Sequence, residues 1–111
     1  MKYHVEILPR AVTDLRSIAL WWSKHHSTEQ AARWLTAIEA AITGLSNRPE
    51  LHQRAVEADL FSFDVRELLF GVRRKKTHRV LFAIRENAVR VYAVRHLAQD
   101  VITADELGLS D

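Results

Sequence analysis

The 111-residue sequence contains no cysteine. That absence removes disulfides, a thiolate nucleophile and any cysteine-based zinc site. Glycine is scarce as well, with three isolated residues, so no glycine-rich phosphate loop can form. No serine stands in a nucleophile-elbow setting. Apolar runs fall far short of the roughly 20 residues that cross a bilayer, and no membrane segment is expected. The opening "MKYHVEILPRAVTDL" lacks the continuous apolar stretch of a signal peptide. A cytoplasmic location fits these absences. Repeats and low-complexity segments are absent too. His25 and His26 adjoin each other without a third ligand in view, so neither a metal site nor a cofactor is expected.

What is present is ordinary in amount and unusual in arrangement. Apolar residues make up 48% of the chain and charged residues 27%, a balance that suits a soluble globular protein. The length supports one core, read as a single domain over 1–111. Between Arg66 and Asp100, nine Lys/Arg face three Asp/Glu, a balance of +6; the rest of the chain carries seven against eleven, a balance of −4. Charge segregated in this way points to a partner.

The apolar pattern divides the chain into six elements. "YHVEIL" alternates Tyr3, Val5 and Ile7 with His4 and Glu6, which reads as a short strand. Pro9 suits the first turn of a helix whose stripe is Val12, Leu15, Ile18, Ala19 and Trp22. Ser27 followed by Gln30 has the pattern of a capping box. The helix it opens carries Ala31, Trp34, Leu35, Ile38, Ala41, Ile42 and Leu45, and ends at Asn47, Arg48 and Pro49. From Pro49 to Asp64 neither period holds, and the stretch reads as a long connection. Then come three strands, "VRELLFGV", "HRVLFAI" and "VRVYAVRH". In the second, Val80, Phe82 and Ile84 oppose Arg79, Leu81 and Ala83. In the third, Val89, Val91 and Ala93 oppose Arg90, Tyr92 and Val94. Short connections favour an antiparallel meander. The expected fold is α+β: an N-terminal strand, a helical hairpin, then a three-stranded meander, in one small sheet with its helices on one face. The other face must hold an apolar patch of its own or receive a partner. Trp22 and Trp34 read as core, and Trp21 lies beside its stripe.

Four consecutive cations, Arg73, Arg74, Lys75 and Lys76, sit between two of the predicted strands. They read either as a solvated turn that discourages edge pairing or as a surface for phosphate or acidic peptide. Arg66 and Arg79 stand inside strands, where a cation needs a partner. Each could pair with Glu67, Asp64 or Glu86, or project toward an anion from an open sheet face. His96 ends the last strand; it reads as a surface or hydrogen-bonded residue, or as a general acid or base beside those arginines. Arg79 and Arg95 join the four loop cations as candidates for partner or nucleic-acid binding.

Taken in order, these pieces resemble the RelE/ParE toxin superfamily. There, an Arg opens the second strand, a "YRxxY/F" segment forms the third, and the last strand ends in a short motif containing His or a cation. Here Arg66, then "HRVLF" with Arg79 and Phe82, then "VRH" with His96 match that order. The opening "LPRAVTDLRSIALWW" is similar to the superfamily's first strand and helix. The resemblance implies the toxin of a type II toxin–antitoxin module, with growth inhibition and plasmid stabilisation as its biology. A co-expressed antitoxin would neutralise it, and operator DNA would be met only through the antitoxin complex. RelE-like members cleave messenger RNA in the ribosome, whereas ParE-like members poison DNA gyrase. For a nuclease, Arg66, Arg79 and His96 would be the catalytic candidates. The ending "HLAQDVITADELGLSD" departs from the nuclease pattern, with Gln99 where a basic residue is usual and no tyrosine near the terminus. "RHLAQD" stands closer to the ParE-like ending, in which an arginine also occupies the place of Gln99. A ParE-like binding protein is therefore the expectation; an endoribonuclease, or a non-toxic homologue kept as corepressor, is the alternative.

Overall fold

The computed structural model describes residues 2–99 and 106–107. Its main elements are β1 (His4–Ile7), α1 (Pro9–His25), α2 (Thr28–Thr43), β2 (Val65–Phe70), β3 (His78–Arg85) and β4 (Ala88–His96). The boundaries have local causes. Pro9 occupies the first turn of α1, where its missing N–H leaves no bond unmade. Ser27 Oγ accepts a hydrogen bond from the N–H of Gln30 at 3.0 Å and caps α2. A 3-10 turn over Gly44–Ser46 continues α2, so that Leu45 still reaches the core. Glu86 and Asn87 turn the chain between β3 and β4, with Glu86 in the left-handed region at φ 59°.

The strands form one sheet in the order β1–β4–β3–β2. The last three make the antiparallel meander, and β1 closes the sheet by pairing parallel with β4. Both helices lie on one face. Ala11 and Leu15 of α1 and Trp34, Ile38 and Ile42 of α2 meet Phe70, Val80, Phe82, Val89 and Val91. Each large side chain buried there is worth about 1.5–3 kcal/mol.

One alternation breaks. Leu81 pairs with Ala93 while Phe82 pairs with Val91, so Tyr92 is an extra residue in β4. Beyond this bulge the faces exchange. Val94, not Ala93, joins Val89 and Val91 in the helix-side core, and Ala93 turns to the opposite cluster. A strict period of two expects the reverse. Asp14 of α1 accepts from the Val94 N–H through Oδ2 at 2.9 Å, tying helix to strand beside the bulge.

The second face is covered by the chain itself. Residues 49–64 contain two short 3-10 turns, Pro49–Leu51 and Val56–Leu60. Gln53 to Ala55 run along the outer edge of β2: the Ala55 N–H donates to Val65 O at 2.8 Å and the Glu67 N–H to Gln53 O at 3.0 Å. Ala55, Val65, Leu81 and Ala93 form a small second cluster, with Phe61, Phe63 and Leu107 against it. The aperiodic connection is thus the cover of this face, which is not left open for a partner. No helix among the described residues is long and apolar enough to cross a membrane.

Candidate functional site

The basic loop is a built structure. A Cβ on Gly71 would lie 2.1 Å from the carbonyl oxygen of Lys75 and 2.9 Å from the Cα of Lys76, so only glycine allows the loop to fold back on its own start. The Thr77 N–H closes it by donating to Phe70 O at 2.8 Å. Arg73, Arg74, Lys75 and Lys76 are all exposed on it. None of the four makes an ion pair among the described residues, whereas Arg10, Arg54, Arg66 and Arg79 each meet a carboxylate.

Behind the loop runs an apolar groove, made of two adjoining cavities that share Trp22 and Thr77. One, of about 300 Å³, lies among Trp22, Trp34, Val72, Gln30 and three cations, Arg33, Arg73 and Lys75. The other, of about 420 Å³, lies among Ser17, Ile18, Trp21, Trp22, His78 and His96. All three tryptophans of the chain line this groove. Trp34 is buried and Trp22 half-buried, while Trp21 is 49% exposed and stacks on His25 with ring centroids 4.6 Å apart. An exposed indole held in place by a stacked neighbour suits a partner anchor.

His78 and His96 are direct partners across β3 and β4, their rings edge to face at 5.2 Å. His78 is also edge-on to Trp34 at 5.2 Å, and its Nδ1 lies 2.8 Å from Thr77 Oγ1. Burial, and then the neighbouring His96, lower its pKa to about 4. His96 is exposed, but its Nδ1 accepts a hydrogen bond from the Ala98 N–H at 3.0 Å. In the neutral ring the proton therefore sits on Nε2. Gln99 accepts from the His96 N–H through Oε1 at 2.8 Å and closes the turn after β4.

The three nuclease candidates do not converge. Arg66 pairs with Phe82 of the helix-side core, whereas Arg79 shares the opposite face with Leu81, so the two guanidinium groups point to opposite faces of the sheet. Arg66 donates to Asp64 and to the carbonyl oxygens of Glu50 and His52. His96 stands four residues along β3 from the Arg66 pairing, about 13 Å by strand rise. Arg79 is 6% exposed and does not project from an open sheet face. Its guanidinium makes two hydrogen bonds to fully buried Glu57 and one to Glu67 at 3.3 Å, and Gln53 holds the other oxygen of Glu67. The hydrogen bonds to Glu57 raise its pKa above the ordinary arginine value. Arg95 is also buried, with its guanidinium 3.9 Å from a carboxylate oxygen of Glu106. Of the binding candidates, the structure thus brings together the four loop cations, and it sets Arg79 and Arg95 away from solvent. Arg33, the three tryptophans and His78 complete the site beside His96, and none of these five carries a sequence signal for binding. Among the described residues no group of three or more His, Cys, Asp or Glu could hold a metal ion. Of the sequence's departures from the nuclease ending, residues 100–105 and 108–111 lie outside the described residues.

No curated protein matches the sequence significantly. A solved structure titled as the chromosomal ParDE toxin–antitoxin system from P. aeruginosa shares the fold, with a TM-score of 0.70 at 14% identity over 86% of this chain and 96% of that one. The model of the family described as the ParE toxin of the type II toxin–antitoxin system parDE matches residues 5–101. The chain therefore belongs to the ParE toxin family.

Proposed function

We propose that this toxin acts by binding, with DNA gyrase as its target, and that a co-expressed antitoxin neutralises it in the cytoplasm, the whole chain working as one toxin domain. The observation that carries this reading is the dispersal of the hydrolytic candidates. Cleavage of RNA through its 2′-hydroxyl needs a base, an acid and a cation around one phosphate. Arg66, Arg79 and His96 lie on two faces and at two ends of the sheet, and Arg79 is already neutralised by Glu57 and Glu67. His96 has its basic nitrogen engaged by the Ala98 N–H.

The groove supports the antitoxin part of the reading. Its walls are indole and aliphatic, and its one charged rim is cationic, so it suits an acidic segment with apolar anchors. Such a segment would seat an apolar side chain beside Trp21 and Trp22 and a carboxylate at Arg33.

Induction of the chain alone and together with the neighbouring reading frame tests both parts. Growth arrest relieved by co-expression, inhibited supercoiling by purified gyrase, and intact messenger RNA on primer extension are the expected results. Codon-positioned cuts that vanish in the His96→Ala variant would make the protein a ribosome-dependent ribonuclease instead.

A further inference from the structure

We propose that the loop between β2 and β3 is a direct DNA contact: Arg73, Arg74, Lys75 and Lys76, with Arg33 beside them, hold the phosphate backbone of a duplex. This goes beyond antitoxin neutralisation and gyrase binding, in which the toxin itself need touch no nucleic acid.

The charge accounting comes first. Four arginines elsewhere are matched, Arg10 to Asp14, Arg54 to Asp59 and Asp64, Arg66 to Asp64, and Arg79 to Glu57 and Glu67, and the exposed cations that are not, such as Lys2, Arg16, Arg48 and Arg90, stand singly in the sequence. Neither the loop cations nor Arg33 have such a partner among the described residues. Four like charges in succession repel one another and do nothing for folding, so their uncancelled field is available to an outside anion.

The loop is also shaped. Gly71 lets the Lys75 carbonyl fold against the start of the loop, which fixes the cations on a compact projection. Phosphates along a duplex are regularly spaced anions that take cationic contacts without apolar anchors. No apolar residue stands between Arg73 and Lys76. Lysine is depleted from protein–protein interfaces, so Lys75 and Lys76 fit phosphate better than an acidic protein. Arg74 and Lys76 lie outside the groove lining and remain available whatever occupies it. The choice of DNA over RNA rests on the gyrase reading; the phosphate chemistry does not.

The test is binding of the purified full chain to a short labelled DNA duplex of arbitrary sequence, followed by anisotropy over a range of salt. The four loop contacts give a slope of about −3.6 in log K against log salt, to which Arg33 adds about −0.9. Changing all four loop cations to Gln should remove most of that slope. Changing four exposed cations elsewhere that make no ion pair, Lys2, Arg16, Arg48 and Arg90, should leave it nearly intact. The pair Arg74→Gln and Lys76→Gln, checked for an unchanged melting temperature, should lose about half the slope and guards against misfolding of the fourfold variant. Equal losses in loop and control variants would overturn the proposal, as would no binding at low salt. Tighter binding of an RNA duplex or a polyglutamate peptide than of DNA would overturn it too. The assay contains no gyrase, so a failed supercoiling experiment and a failed loop are separate results.

Discussion

Arg79 holds its charge where water cannot solvate it, and the fold meets that cost with two carboxylates and a glutamine. Removing one member leaves the others uncompensated. Arg79→Ala is therefore expected to destabilise the protein by roughly 3–5 kcal/mol in chemical denaturation. Toxicity should fall with the folded fraction, and a variant that is non-toxic yet as stable as wild type would show that Arg79 meets a ligand. The sequence made an ion pair with Glu67 legible, since the two lie on adjacent strands. Glu57 was not legible, because it sits in a segment with no period to say which way it faces. His78 gives the second residue-scale prediction. Its folded pKa of about 4 lies below the ordinary 6.5, so the unfolded chain takes up the proton first as pH falls. Stability then declines from about pH 6.5 downward, by an amount reaching about 3 kcal/mol below pH 4, and is unaffected by this group above neutrality. The difference in unfolding free energy between wild type and His78→Phe, measured from pH 7 to pH 4, should carry this slope, since groups common to both proteins cancel.

At the scale of elements, alternation carried the reading as far as Val91 and no further. Each strand was legible because apolar residues recur every second position, and both helices because theirs recur every third or fourth. A bulge has no such signature: Tyr92 favours a strand as Val91 does, and nothing in the run "VRVYAVRH" marks it as the extra residue. The exchange of Ala93 and Val94 is a tertiary outcome, fixed by which side chain fills the space under α1. Asp14 has its role from the same event, accepting from the Val94 N–H through one oxygen and from Arg10 through the other. Asp14→Ala should cost about 1–3 kcal/mol, because a buried donor loses its acceptor. Hydrogen exchange at Val94 should accelerate, and Asp14→Asn, which keeps an acceptor, should lose less. If Val94 exchanges at the wild-type rate in Asp14→Ala, the helix–strand tie is not formed. The groove was the least legible feature of the site, since Trp22, Trp34, Val72 and His96 come from four elements whose meeting only the sheet order determines.

For the molecule as a whole, the segregated charge becomes spatial. Acidic side chains such as Glu57, Asp59, Asp64 and Glu67 answer Arg54, Arg66 and Arg79, while the one run of four unanswered cations, with Arg33, stands at the end where the groove opens. Charge at a rim governs encounter, and buried apolar contact governs escape. An acidic antitoxin segment should therefore associate quickly at low salt and more slowly as ions screen the rim, with a Debye length of about 10 Å at 0.1 M. Arg33→Glu is expected to lower the association rate several-fold and flatten its salt dependence, leaving dissociation nearly unchanged. Trp22→Ala, which removes a wall shared by both cavities, should do the opposite: near-normal association and dissociation faster by tenfold or more, since a buried aromatic anchor is worth about 2 kcal/mol or more. Because every tryptophan of the chain lines this groove, stopped-flow fluorescence reads its occupation directly in the wild type and in each variant. Binding that proceeds with no change in tryptophan emission, and with equal rates in Arg33→Glu, would place the antitoxin on another surface.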